Sequence, residues 1–194
     1  KSRSRGLGDV YKRQLSYWET IFNRFVDGDT SFVDSLLTDS AQSFFYELVI
    51  FDDITLNKTF HLLREQLDTS YVDYNIPEIT SDDVVGGFRN GWGLFIINMD
   101  AAREQILIQV PHPCDDFIAP YIALDLFFET DAFGFMIAGA GREVAWNEIG
   151  DYSNSKSISD PSRYPHTVFQ KFQDAVTEPL IGINPHWPLV FAIH

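Results

Sequence analysis

The first third of the chain alternates apolar and polar residues at helical spacing. Residues 15–26 carry a single apolar stripe, which predicts an amphipathic helix: Tyr17, Trp18, Ile21, Phe22, Phe25 and Val26. A second short helix is predicted to follow Gly28, with Thr30 or Ser31 as its cap. A third is predicted over residues 56–67, where Phe60, Leu63 and Leu67 share one helical face. Residues 41–50 fit a helix or a strand equally well.

Short, almost continuous apolar runs dominate the chain from residue 92 onward. Four such runs predict strands in a sheet covered on both faces: residues 92–98, 105–110, 133–138 and 188–193. The short link between the first two runs favours an antiparallel hairpin. Two apolar-faced stretches between the later runs predict helices over residues 116–129 and 166–177.

The order of these later elements is β-α-β-α-β. This order predicts an α/β fold with a mostly parallel sheet in an α/β/α sandwich, preceded by an N-terminal helical segment. Right-handed crossovers bring the carboxyl ends of successive parallel strands to one edge of the sheet. That edge is where open α/β sheets bind their ligands. We therefore expect the residues that follow the strands to converge.

Charge is spread unevenly along the chain. It holds 28 acidic and 14 basic residues, a net charge of −14. Five of the basic residues stand in residues 1–14, so the body has no basic stripe for nucleic acid. Residues 1–14 lack the apolar core of a secretory signal, and we interpret them as a non-native leader. A nucleic-acid-binding arm is the alternative interpretation.

Three segments follow from this division. They are the leader 1–14, a helical segment 15–85, and an α/β hydrolase-like domain 86–194. The chain stops at His194, directly after an apolar strand, so we expect that domain to be truncated at its C-terminus. No run of 18 apolar residues occurs, and no membrane span is predicted. The single cysteine, Cys114, excludes an internal disulfide.

The chemistry-bearing residues lie at the predicted strand ends. His112 and Asp115 follow the strand 105–110, and His194 follows the strand 188–193. Imidazole and carboxylate are both zinc ligands, and a catalytic zinc site usually has three protein ligands and one water. The sequence therefore predicts a zinc site formed by His112, Asp115 and His194.

Other interpretations of this loop stay open. Asp115 or Asp116 fits the N-cap of the helix predicted over residues 116–129, where acidic residues favour the helix dipole. Cys114 fits a zinc ligand or a nucleophile, but we interpret it as a buried structural thiol.

Two arginines are predicted to contact the substrate. Arg142 follows the strand 133–138 after Gly139 and Gly141, and a guanidinium binds a carboxylate through two parallel hydrogen bonds. A salt bridge with Glu143 is the structural alternative. Arg163 lies in the polar loop 147–165, a length that is often functional, and supplies a second cation.

These residues resemble the zinc carboxypeptidase and N-formylglutamate amidohydrolase-like hydrolases over about residues 92–194. The resemblance implies an α/β/α zinc hydrolase that cuts amide bonds, often beside a carboxylate. It implies His112, Asp115 and His194 as zinc ligands and Arg142 as the anchor for a substrate carboxylate. It also implies a general-base glutamate beyond His194.

We therefore expect a zinc-dependent hydrolase of an amide or related acyl bond in a small or peptide-like substrate with a carboxylate. One alternative is a metal-dependent phosphoester hydrolase, in which Arg142 and Arg163 bind phosphate and Asp115 and Asp116 bridge a second metal ion. The other is a non-catalytic binding module that uses the acidic surface and exposed tryptophans.

Overall fold

A computed structural model describes residues 3–39, 44–68, 88–141, 160–162 and 164–194. This part of the chain contains four α-helices, six strands and a 3-10 turn at Glu178–Leu180. In chain order the helices and strands are α1 (Arg3–Val26), α2 (Thr30–Leu37), β1 (Tyr46–Asp53), β2 (Lys58–Glu65), β3 (Leu94–Asn98), β4 (Arg103–Val110), α3 (Ala119–Thr130), β5 (Ala132–Ile137), α4 (Val168–Thr177) and β6 (Leu189–Ala192).

All six strands form one mixed sheet in the order β1-β2-β3-β5-β4-β6. The pairings of β1 with β2, β2 with β3 and β3 with β5 are antiparallel. Those of β4 with β5 and β4 with β6 are parallel. The prediction of mixed α/β content is confirmed. The prediction that the sheet of the α/β/α sandwich is mostly parallel is wrong, because three of the five strand pairings in the described part of the chain are antiparallel.

Two apolar cores lie against opposite faces of this sheet, because successive strand residues point to opposite sides. On β3, Phe95 and Ile97 join the core formed with α1, α2 and α4. Ile96 between them joins the core formed with α3. Most of the largest fully buried side chains, including Trp18 and Phe172, are in the first core, whereas Phe127 is in the second.

A strand replaces the third predicted helix. Residues 58–65 form β2, which pairs with β1 on one side and β3 on the other. Phe60 and Leu63 have helical spacing, but they are buried in the two different cores. The burial of both strand faces therefore imitates the helical pattern. Within the segment 41–50, which fitted either structure, residues 46–50 belong to β1 (Tyr46–Asp53).

The predicted hairpin between β3 and β4 is also wrong. Strand β5 lies between them, antiparallel to β3 and parallel to β4. It pairs through Leu94↔Ile137 on one side and Val110↔Ile137 on the other. The short link between β3 and β4 thus spans the width of an inserted strand.

Helix α1 includes most of the predicted leader, since it begins at Arg3. The non-native origin of residues 1–14 stays a prediction. Within the described residues, no helix combines the length and the apolar character needed to cross a bilayer.

Candidate metal centre

The turn after β4 brings an imidazole and a carboxylate together. The carbonyl oxygen of His112 accepts the backbone N–H groups of Asp115 at 3.2 Å and Asp116 at 3.0 Å. This forms a helical turn, in which residues four apart lie on the same side. Oδ2 of Asp116 is therefore 4.0 Å from Nδ1 of His112.

Strand β6 brings His194 to the same place. It pairs in parallel with β4 through Gln109↔Ala192, so the chain leaves both strands at one edge. The rings of His112 and His194 have centroids 5.2 Å apart. Nδ1 of His194 lies 3.7 Å from Oδ2 of Asp116. Two residues 82 positions apart in sequence thus meet, as the parallel arrangement of these strands predicts.

His112, Asp116 and His194 form a group that has the composition of a metal site. One ligand atom from each lies within 4.8 Å of the other two. These atoms lie farther apart than the ligand atoms of a tetrahedral zinc site, which stand about 3.4 Å from one another. We call these three residues the metal-site group. Asp115, predicted as the carboxylate ligand, is not in this group, because the turn places Asp116 above His112.

A buried carboxylate orients His112. Oδ1 of Asp160 is 3.0 Å from Nε2 of His112, and the two residues are 4% and 6% exposed. The same oxygen accepts the backbone N–H of Ser162 at 3.0 Å. An ionised carboxylate only accepts, so Nε2 donates to Asp160, and in the neutral imidazole Nδ1 is then the nitrogen with the free lone pair. Histidines that bind metals commonly have such a partner on the other ring nitrogen.

Sequence reasoning missed Asp160 as a partner of His112. The two residues are 48 positions apart, and Arg163 was the residue predicted to act from this polar loop. A buried acid next to Pro161 has no local pattern that identifies its partner.

The loop after β4 neither caps helix α3 with an aspartate nor buries its cysteine. Helix α3 begins at Ala119, and its N-cap Ile118 has no side-chain capping bond. Neither Asp115 nor Asp116 is therefore its N-cap. Cys114 is exposed, so its interpretation as a buried structural thiol is wrong.

Arg142 and Arg163 lie outside the described residues, and their substrate contacts stay predictions. Gly139, which precedes Arg142, has a structural explanation of its own. A Cβ atom there would lie 2.7 Å from the backbone nitrogen of Gly93. A Cβ atom at Gly93, where φ is +109°, would lie 2.0 Å from the carbonyl oxygen of Ile137. Both glycines are needed for the close approach of β3 and β5.

A pocket of about 530 Å³ opens at the same edge of the sheet. Its floor contains Glu47, Arg64, Leu94 and Ile137, and Pro113 lines the side nearest His112. These four floor residues are consecutive register partners across β1, β2, β3 and β5. The remaining lining residues are mainly apolar or glycine, including Leu67 and Phe88. A concave, largely apolar site with few polar groups is the usual form of a ligand pocket.

The acidic and basic side chains of the pocket have different environments. Nε of Arg64 donates to Oε1 of Glu47 at 2.7 Å, and both side chains are partly exposed. Glu65 is buried and accepts the backbone N–H groups of Asn90, Gly91 and Trp92. Burial, and then the negative charge of Glu65, raise the pKa of Tyr46 well above its ordinary value.

Comparison with protein-family models, with curated proteins and with solved structures finds no match for this chain.

Proposed function

We propose that this chain is a zinc-dependent hydrolase of an amide or related acyl bond. The observation that carries the proposal is the metal-site group of His112, Asp116 and His194, with His112 held by the buried Asp160. The group lies at the carboxyl edge of the parallel strands β4 and β6, next to the pocket.

The donor set supports zinc. Two imidazoles and one carboxylate are the protein ligands of several catalytic zinc sites, which leave a fourth position for water. The side chain of His194 is 51% exposed, which gives this fourth position access to solvent. The orientation of His112 by Asp160 makes Nδ1 the nitrogen available for binding.

A zinc ion held there would polarise the scissile carbonyl group and lower the pKa of its water to about 7. Asp160 keeps the proton of His112 on Nε2 and fixes the plane of the ring. The pocket floor of Leu94 and Ile137 would exclude water from one side of the substrate. Arg142 and Arg163 remain proposed substrate contacts.

The test is elemental analysis of chelator-free protein to which zinc has been added back, followed by assays on amide substrates. About one zinc per chain is expected, and His194→Ala should lose it. His194 is half-exposed, so this variant should keep its fold. His112→Ala should also lose the metal, although this residue is buried.

The matched control is His186→Ala, which removes an exposed histidine outside the metal-site group. It should retain the zinc of the parent protein. Absence of zinc from the parent protein, or equal zinc in the parent and His194→Ala, contradicts the proposal and favours a non-catalytic binding module.

A further inference from the structure

A row of paired residues connects the pocket with the candidate metal centre. Arg64, Leu94, Ile137 and Val110 are successive register partners on β2, β3, β5 and β4. Three inter-strand steps of about 4.8 Å separate the ends of this row by about 14 Å. Val110 is fully buried and lies outside the pocket lining, so the row measures this separation beneath the surface. His112 follows two residues after Val110, which places the metal-site group beyond the end of the row opposite Arg64.

Arg64 is prepared to bind an anion at the far end of the row. Its Nε is held by Glu47, and among the described residues no hydrogen bond engages its two terminal nitrogens. A guanidinium fixed through Nε presents these nitrogens as a planar fork that matches a carboxylate. The side chain of Arg64 is 57% exposed, so the fork is accessible.

The middle of the row is apolar. Leu94 and Ile137 form the pocket floor between Arg64 and Pro113, and Leu67 and Phe88 add apolar wall. Glu47 and Glu65 line the same end of the pocket as Arg64, so an anion there would have to bind the guanidinium on the side away from Glu47. A ligand with one anionic end and an apolar middle fits this arrangement.

We infer that the pocket binds the C-terminal segment of a short apolar peptide, with the terminal carboxylate on Arg64. An extended chain advances about 3.3–3.6 Å per residue, so three or four residues span the row. The scissile bond would then lie three or four residues before the carboxylate. This inference rests on the proposed function for the cleavage step, whereas the carboxylate site itself needs no metal.

The experiment measures binding to metal-free protein by calorimetry. The probes are an N-acetylated tetrapeptide of leucine and alanine with a free C-terminal carboxylate, and the same peptide as its C-terminal amide. The free acid should bind about tenfold to a hundredfold more tightly than the amide, because it gains a charge-assisted bidentate contact. Equal affinities for the acid and the amide would overturn the inference.

Substitutions of Arg64 test whether this residue causes the preference for the free acid over the amide. Arg64→Gln should abolish it, and Arg64→Lys should retain only part, because an ammonium group lacks the planar fork. Arg103→Gln removes an exposed arginine at the opposite edge of the sheet and should leave the preference unchanged. A preference that survives in Arg64→Gln contradicts the assignment. Circular dichroism checks that each variant is folded.

The outcomes separate this inference from the proposed function. Acid preference through Arg64 in a protein that binds no zinc supports the carboxylate site and contradicts the hydrolase. Zinc binding without a preference for the free acid supports the hydrolase and contradicts the carboxylate site. In zinc-loaded protein, mass spectrometry of a longer apolar peptide should show release of a three- or four-residue C-terminal fragment. Release of a single terminal residue would overturn the inferred spacing.

Discussion

Glu65 is expected to stabilise the edge of the sheet that forms the pocket. It stands at the end of β2 and is 8% exposed. One carboxylate oxygen accepts the N–H of Asn90, and the other accepts those of Gly91 at 2.9 Å and Trp92 at 3.4 Å. This carboxylate fixes the segment that leads into β3.

The substitution Glu65→Gln keeps the size of the side chain and removes its charge. A hydrogen bond to a charged group contributes about 1.5–3 kcal/mol, and a neutral one about 0.5–1.5 kcal/mol. One of the two accepting oxygens also becomes an amide NH₂ group, which faces at least one backbone N–H. With two short bonds and one long bond, the free energy of unfolding should fall by about 2–3 kcal/mol.

Urea unfolding followed by tryptophan fluorescence measures this loss. The matched control is Glu47→Gln, which removes a partly exposed carboxylate of the same sheet. Its ion pair with Arg64 is solvent-screened, so the control should change the free energy of unfolding by less than about 1 kcal/mol. A loss below about 1 kcal/mol in Glu65→Gln itself refutes the reasoning.

Tyr46 gives a second, independent measurement. It is the register partner of Glu65, and its hydroxyl donates to the carbonyl oxygen of Gly93 at 2.7 Å. Burial is the main cause of its raised pKa, and Glu65 adds to it. In Glu65→Gln the pKa of Tyr46 should decrease but stay above its ordinary value, as followed by NMR of ring-labelled tyrosine. An unchanged pKa shows that the two groups do not interact.

Three further predictions address the site, the pH dependence and the core. Asp160→Asn should weaken zinc binding about 10- to 100-fold in a competition titration, because His112 loses the partner that orients it; unchanged affinity contradicts that role. Burial lowers the pKa of His61, whose Nδ1 is buried without a hydrogen-bond partner among the described residues. The unfolded chain therefore takes up this proton more readily, and stability is lost as the pH falls below about 6.5, by at most about 1.4 kcal/mol per pH unit. His61→Phe should remove this loss of stability when urea unfolding is compared at pH 7.5 and 5.5. If the parent protein and His61→Phe show the same pH dependence, His61 is not its cause. Phe172→Ala should cost about 3–5 kcal/mol, since its ring is fully buried against three phenylalanine rings, whereas Phe117→Ala, at 75% exposure, should cost less than about 0.5 kcal/mol; similar losses in the two variants would contradict the described core.

The helices and strands with the strongest local patterns could be predicted from the sequence. Apolar stripes at helical spacing identified the helical core of α1 and that of α4, and continuous apolar runs identified β3 to β6. The pairing order could not be predicted in this way. Whether β4 pairs with β3 or with β5 depends on competition between strands distant in sequence, and a short link favours only the local partner. For the same reason a helix was predicted where β2 is a strand, because the residues that bury its two faces are distant in sequence.

The site shows a similar division. That His112 and His194 would meet could be predicted, because both follow parallel strands of one sheet. Whether Asp115 or Asp116 faces His112 depends on the exact geometry of the turn that joins them. No sequence pattern distinguishes these two adjacent aspartates. Asp160 reaches His112 across a gap of 48 residues through tertiary packing alone.

The insertion of β5 between β3 and β4 affects how the chain folds. Strands β3 and β4, which a short link joins, do not pair with each other, so no local hairpin can nucleate this part of the sheet. Each central pairing must first close a loop that contains at least α3, and such non-local contacts slow folding. His112 and His194 also meet only after β6 has joined β4. We therefore expect the metal-site group to form late, together with the complete sheet, so that zinc would select the fully assembled chain over partly folded intermediates.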